Sequence, residues 1–86
     1  MYSLATTSNI DKIFFKLKNK NMKQLNIIYK KVEQIMNNPY CFKPLRGDMS
    51  GSRRVHIDKS FVLTYEIDER NKILTLLDYD RHDNIY

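Results

Sequence analysis

A single cysteine, Cys41, in 86 residues excludes an internal disulfide and so sets aside the stapled small domains of secreted proteins. Tryptophan is absent, and two glycines with two prolines are too few for a flexible linker or a Pro/Gly-rich disordered chain. No stretch approaches the roughly eighteen consecutive apolar residues of a membrane-spanning helix. The opening MYSLATTSNIDK lacks the basic region and apolar run of a signal peptide. There is no Gly-rich phosphate loop, no CxxC, no HExxH, and no Ser or Cys in a recognisable nucleophile context. Two histidines make a poor zinc site, which takes four ligands. These absences point to a cytoplasmic protein, away from membranes, that works through polar side chains without a metal or small-molecule cofactor.

What is present suffices for one domain. Hydrophobic residues make up 42 % of the chain, including six Tyr and four Phe. A chain of this length buries only roughly 60 % of its unfolded surface, so residues 1–86 are expected to form a single core with function on a surface or shallow cleft. The net charge of +5 is unevenly spread. Residues 1–59 carry twelve Lys and Arg against Asp11, Glu33, Asp48 and Asp58, whereas residues 60–86 carry three against six acidic residues. A basic first two-thirds suggests a polyanion or an acidic protein as partner. The plain alternative is that Lys16, Lys18, Lys20, Lys23, Lys30 and Lys31 solvate the outer faces of helices.

Periodicity gives the elements. Tyr2 to Ala5 reads as a short strand. Thr7 or Ser8 can cap a helix of about ten residues with Ile10, Ile13, Phe14 and Leu17 on one face, and Asp11 favourably placed in its first turn. Lys18 to Asn21 reads as a connector. A second helix carries Met22, Leu25, Tyr29, Val32 and Met36, widened by Ile28 and Ile35, and ends at Asn37-Asn38-Pro39. Tyr40 to Ser52, with Pro44, Gly47 and Gly51, is a long basic loop, and loops of that length tend to carry function. Alternation then gives three strands, around Val55–Ile57, Phe61–Ile67 and Lys72–Tyr79, turning at Asp58–Ser60 and Asp68–Asn71. The expected fold is α+β: a short first strand, then a two-helix hairpin packed on an antiparallel three-stranded meander.

With tight turns, His56 falls opposite Val62, Val62 opposite Leu77, and Ser60 near Tyr79. Arg81, His82 and Tyr86 then emerge at the same end of the sheet as His56. One face, with Val55, Ile57, Phe61, Leu63, Tyr65, Ile67, Leu74 and Leu76, is for the helices. The other carries Arg54, His56, Val62, Thr64, Glu66, Thr75, Leu77 and Tyr79, a mixed surface suited to phosphates and bases. Two histidines that titrate near pH 6.5 can share base and acid roles while arginines stabilise charge on a phosphate. That set is what attack by a ribose 2′-hydroxyl on its own phosphodiester requires. A strand histidine is also often an ordinary surface residue, and only the convergence of two on a basic face favours chemistry.

The strand–helix–helix–meander order, PLRGDMSGSRRVHIDKSFVLTYEI and the terminal RHDNIY together resemble the RelE/ParE toxin superfamily, most of all its YafQ-like branch. The resemblance covers nearly the whole chain. It rests on Pro44-Leu45 with Gly47, on the Arg53 to Ile57 strand, and on a terminal histidine three residues before an apolar-aromatic pair. It implies a RelE-like fold and the toxin of a type II toxin–antitoxin pair, a ribosome-dependent endoribonuclease cutting mRNA in the A site. Its implied partners are a cognate antitoxin, the ribosome and mRNA. It also implies catalytic roles for His56, His82 and Tyr86, with Lys43 standing where YafQ-like chains have a histidine and Ser60 where they have an aspartate. Arg46, Arg53, Arg54 and Arg81 are the expected RNA-binding cations. A ParE-like, non-catalytic gyrase inhibitor and a degenerate toxin that keeps only antitoxin binding are the alternatives.

Overall fold

The computed structural model describes residues 1–42 and 52–81. In chain order these form β1 (Ser3–Thr6), α1 (Ser8–Lys20), α2 (Met22–Asn37), β2 (Ser52–Ile57), β3 (Phe61–Asp68) and β4 (Ile73–Arg81). The four strands make one sheet in the order β1-β4-β3-β2. The meander β2-β3-β4 is antiparallel, as the alternation predicts, and β1 adds to the far side of β4 in parallel. The sheet is therefore mixed, with β1 and β2 at its edges.

The helices begin on side-chain caps and end on backbone ones. Thr7 caps α1, its hydroxyl accepting from the Ile10 N–H, and Asp11 places negative charge in the first turn. The expected connector Lys18 to Asn21 shrinks to Asn21 alone. Lys18 and Lys20 stay helical, where their charge favours the C-terminal end of the dipole. Asn21 closes one helix and opens the next. Its backbone N–H donates to the Leu17 carbonyl at 2.7 Å, and its side-chain oxygen accepts from the Gln24 N–H at 3.1 Å.

The core lies between the helices and one face of the sheet. Leu25, Ile28, Val32 and Ile35 of α2 are buried with Ile10 of α1, Val55 and Ile57 of β2, Leu63 and Tyr65 of β3, and Leu74 and Leu76 of β4. The α2 stripe is rotated from the expected one. Ile28 and Ile35 are its centre, whereas Met22 and Tyr29 are 45 % and 49 % exposed. Tyr65 is fully buried, and its hydroxyl donates to the Pro39 carbonyl at 2.6 Å, which ties the exit of α2 to the middle of the sheet. Burial pushes the Tyr65 hydroxyl up to about 12.

The register between β3 and β4 departs from the tight-turn expectation by three residues, from two causes. The turn is longer, since Asp68 pairs with Ile73, and Lys72 closes it in the left-handed region at φ 55°. A bulge then intervenes: Tyr65 pairs with Leu76 but Thr64 with Asp78, so Leu77 is the extra residue. The longer turn moves the register by two and keeps each face; the bulge moves it by one and exchanges the faces. Val62 consequently lies opposite Asp80, not Leu77, and Phe61 opposite Arg81. Tyr79 crosses from the open face, where alternation puts it, into the core. Its ring stacks on Phe61 with centroids 5.3 Å apart, and its hydroxyl accepts from the Gln24 amide. Burial raises this hydroxyl, too, to about 12.

Candidate nucleic-acid interface

Strand β2 carries the basic segment Arg53-Arg54 and His56, and as an edge strand it has a neighbour on one side only. His56 pairs with Val62 as expected, and it is exposed while Val55 and Ile57 on either side are buried. Period-2 alternation thus aims His56 and Arg54 away from the helix-covered core. Beside them opens a groove of about 350 Å³ lined by Lys31, Cys41, Phe42, Arg54, Val55 and His56. Its far wall is Lys31 of α2 with Cys41 and Phe42 beyond that helix. A concavity of this size suits one nucleotide unit or a similar small polar ligand.

Arg53 is on the same strand but on the core side. It pairs with Tyr65, and directly paired residues share a face. Its Nη1 donates to the Phe42 carbonyl at 2.6 Å, and its guanidinium lies 4.9 Å from the centroid of the Tyr40 ring. Arg53 thereby holds the wall of the groove from behind.

Behind that wall lies a second network. Glu69, in the β3–β4 turn, accepts from Tyr2 Oη at 2.5 Å and Tyr40 Oη at 2.7 Å, and it pairs with the Lys72 ammonium. The Lys72 hydrogen bond, followed by the two tyrosine donors, lowers the Glu69 carboxyl to about 2. The carboxylate joins the residue before β1, the β3–β4 turn and the segment after α2. Tyr40 then passes the constraint to Arg53 and Phe42.

Arg81 ends β4 opposite Phe61, which in turn faces Ile57, so it reaches the same end of the sheet as His56. The bulge places Arg81 on the Phe61 and Ile57 face, and it brings Asp80 into the row of Val62 and His56. Ser60 is exposed in the β2–β3 turn. Lys43, Arg46, His82 and Tyr86 lie outside the described residues. Within the described residues, then, Arg54 and His56 meet in one groove, Arg53 supports it, and Arg81 stands at its end of the sheet. Sequence reasoning missed Lys31, Phe42 and Asp80. Lys31 had one signal: it directly precedes Val32 and follows Ile28 by three residues, which sets it on the border of the buried stripe. Among the described residues no cluster of three or more His, Cys, Asp or Glu could hold a metal ion.

Residues 4–86 match the family of ParE-like toxins of type II bacterial toxin–antitoxin systems. The chain belongs to that family. It is 46 % identical to a candidate toxin, RelE4, of Methanocaldococcus jannaschii, over all of this chain and 92 % of that one. Its fold superimposes on a YoeB/ParE toxin from Agrobacterium tumefaciens with a TM-score of 0.84 at 17 % identity, covering 95 % of this chain and 99 % of the other. It superimposes on the E. coli DinJ-YafQ complex with a TM-score of 0.77 at 21 % identity, covering 100 % and 99 %. The RelE-like α+β architecture expected from the sequence is thus the fold this ParE-like toxin has. No helix among the described residues is long and apolar enough to cross a membrane.

Proposed function

We propose that this ParE-like toxin is a ribosome-dependent endoribonuclease that cuts mRNA in the A site by acid/base chemistry without a metal, in the cytoplasm. The observation that carries the reading is the exposed His56 set beside Arg54 in a cation-lined groove of nucleotide size. In the proposed reaction the ribose 2′-hydroxyl attacks the adjacent phosphorus while one histidine takes its proton. The P–O5′ bond breaks, and the other histidine protonates the departing 5′ oxygen, which leaves a 2′,3′-cyclic phosphate and a 5′-hydroxyl. His56 and His82 take the base and acid roles, Lys43 adds a cation, and Tyr86 stacks on or positions a base. Arg54 holds a phosphate in the groove, as guanidinium donors do well, with Arg46 and Arg81 as further cations, while Arg53 braces the groove wall.

The second partner in this reading is a cognate antitoxin with an acidic or amphipathic segment that folds as it binds. Membership of a toxin–antitoxin family supports it, as does the solved YafQ toxin in complex with DinJ. The lysines on the outer helical faces would complement such a segment.

Induction of the toxin followed by primer extension on a translated mRNA should show cuts within codons. Removing one acid/base group costs about 10²- to 10⁴-fold in rate. A His56→Ala, His82→Ala double variant should therefore lose toxicity while keeping its far-UV CD, because His56 is exposed. The family's ParE-like character keeps gyrase inhibition as the second reading. Growth arrest with intact transcripts, and a DNA-damage response that survives both substitutions, would establish that reading in place of cleavage. No effect on growth at all would point to a toxin that keeps antitoxin binding alone.

A further inference from the structure

Lys31 and Phe42 line the groove, and the proposed cleavage uses neither. Their environments set them apart. Lys12, Lys16, Lys18, Lys20, Lys23 and Lys30 are exposed, as solvating lysines are, whereas Lys31 is half-buried against the groove. Its ammonium lies over the Phe42 ring, 5.9 Å from the centroid. Phe42 is half-buried, packed against the core, and its carbonyl is clamped by Arg53, so the ring is a fixed platform. A cation resting on an aromatic plane, across a groove from an arginine and a histidine, is a base site next to a phosphate site.

We propose that Lys31 and Phe42 form a base-reading subsite that favours guanine, for a nucleotide whose phosphate lies at Arg54. The proposal rests on the RNA reading above for its substrate class and adds which base is preferred and which residues read it. The Phe42 ring gives affinity to any base, since every base has a π-face to stack. Lys31 gives the choice. An ammonium group only donates, and guanine offers two adjacent acceptors, O6 and N7, on one edge. On that same edge adenine sets the N6 donor beside N7 and cytosine presents its N4 donor, so each opposes the ammonium, and uracil presents O4 alone. In binding, the Lys31 ammonium exchanges the ring quadrupole for the guanine edge with a small movement of its side chain.

Cys41 supplies the measurement, because it is exposed, lines the same groove and is the chain's one cysteine. Its rate of alkylation by iodoacetamide is followed on the full chain while GMP, AMP, CMP or UMP is titrated in. GMP should half-protect Cys41 at a concentration lower than the other three by about fivefold or more, the lower end of a specific base contact. Lys31→Ala should bring the four nucleotides to the same value, and Lys31→Arg, which keeps a donor-only side chain, should retain the preference. Phe42→Leu should weaken protection by all four. Each variant is checked for an unchanged thermal midpoint first. Equal protection by the four nucleotides, no protection by any, or a guanine preference that survives Lys31→Ala overturns the proposal. The assay does not involve cleavage, so the two readings fail separately. Guanine-selective protection with intact transcripts would remove the nuclease reading alone, and codon cuts with base-blind protection would remove the subsite alone.

Discussion

Replacing Tyr65 by Phe removes one oxygen from the centre of the domain and nothing else. The ring is fully buried, and its hydroxyl donates to the buried Pro39 carbonyl at 2.6 Å, the partners being 26 positions apart in sequence. Phe keeps the ring volume, so the change isolates the hydrogen bond and the desolvated carbonyl left behind. Losing one partner of a buried pair costs about 1–3 kcal/mol, and the short, well-formed bond here argues for about 1.5 kcal/mol. At a urea m-value of about 1 kcal/mol/M for a domain of this size, the unfolding midpoint should fall by about 1.5 M. The thermal midpoint should fall by roughly 6–12 °C. Urea titration followed by far-UV CD reads both the midpoint and the slope. The effect should also depend on pH. The Tyr65 hydroxyl ionises at about 12 in the fold against 10.0 in a free tyrosine, so its contribution is complete below pH 10 and is lost as pH rises through about 12. The deficit of the variant should shrink over that interval. An unchanged urea midpoint at pH 7, with an unchanged slope, would refute the claim that this bond ties α2 to the sheet.

Three further perturbations test other parts of the structure. Asn21→Ala removes the side-chain cap of α2 at the junction of two helices and should cost about 1 kcal/mol in urea unfolding, while Asn21→Ser should recover most of it. Deleting Leu77 removes the extra residue, so that Leu76 runs into Asp78 with Thr64 still opposite Asp78 and Leu63 still opposite Tyr79, and Tyr79 keeps its place in the core on an unbroken ladder. Near-UV CD should therefore stay native; losing a buried aromatic costs about 3–5 kcal/mol, a large share of a small domain's stability, so a collapsed spectrum would show that the bulge does not set the faces. The Glu69 carboxyl should titrate near 2 against 4.5 for a free group, read by carbon-detected NMR. Its contribution is complete above pH 4.5 and lost as pH falls through about 2, so a midpoint at 4.5 would mean that Tyr2, Tyr40 and Lys72 do not gather on it in solution.

Much of the fold is legible in the sequence because its signals are local. The cap at Thr7, the Asn37-Asn38-Pro39 stop and the period-2 runs of β2 and β3 each depend on a few neighbouring residues. The pairing of His56 with Val62 followed from one short turn. The α2 stripe was less legible. Two overlapping apolar stripes run along that helix, and the choice of Ile28 and Ile35 over Met22 and Tyr29 depends on how α2 sits on the sheet. The groove was half legible. Arg54 and His56 could be chosen by residue type and strand phase, but Lys31 looks like any solvating lysine until α2 packs beside β2, and Phe42 like any loop aromatic until Arg53 clamps its carbonyl.

By itself, then, the sequence determined the element order, the cap of α1, the helix-covered side of β2 and β3, and the resemblance to RelE/ParE toxins. Tertiary structure alone decided the parallel placement of β1 on β4, the bulge at Leu77 that buries Tyr79 and brings Asp80 into the row of His56, and the Lys31 and Phe42 wall of the groove. The division has a physical cause. Caps and alternation are fixed by interactions over three or four residues, whereas a bulge or a groove depends on which of several nearly equal pairings buries the most surface once distant segments meet.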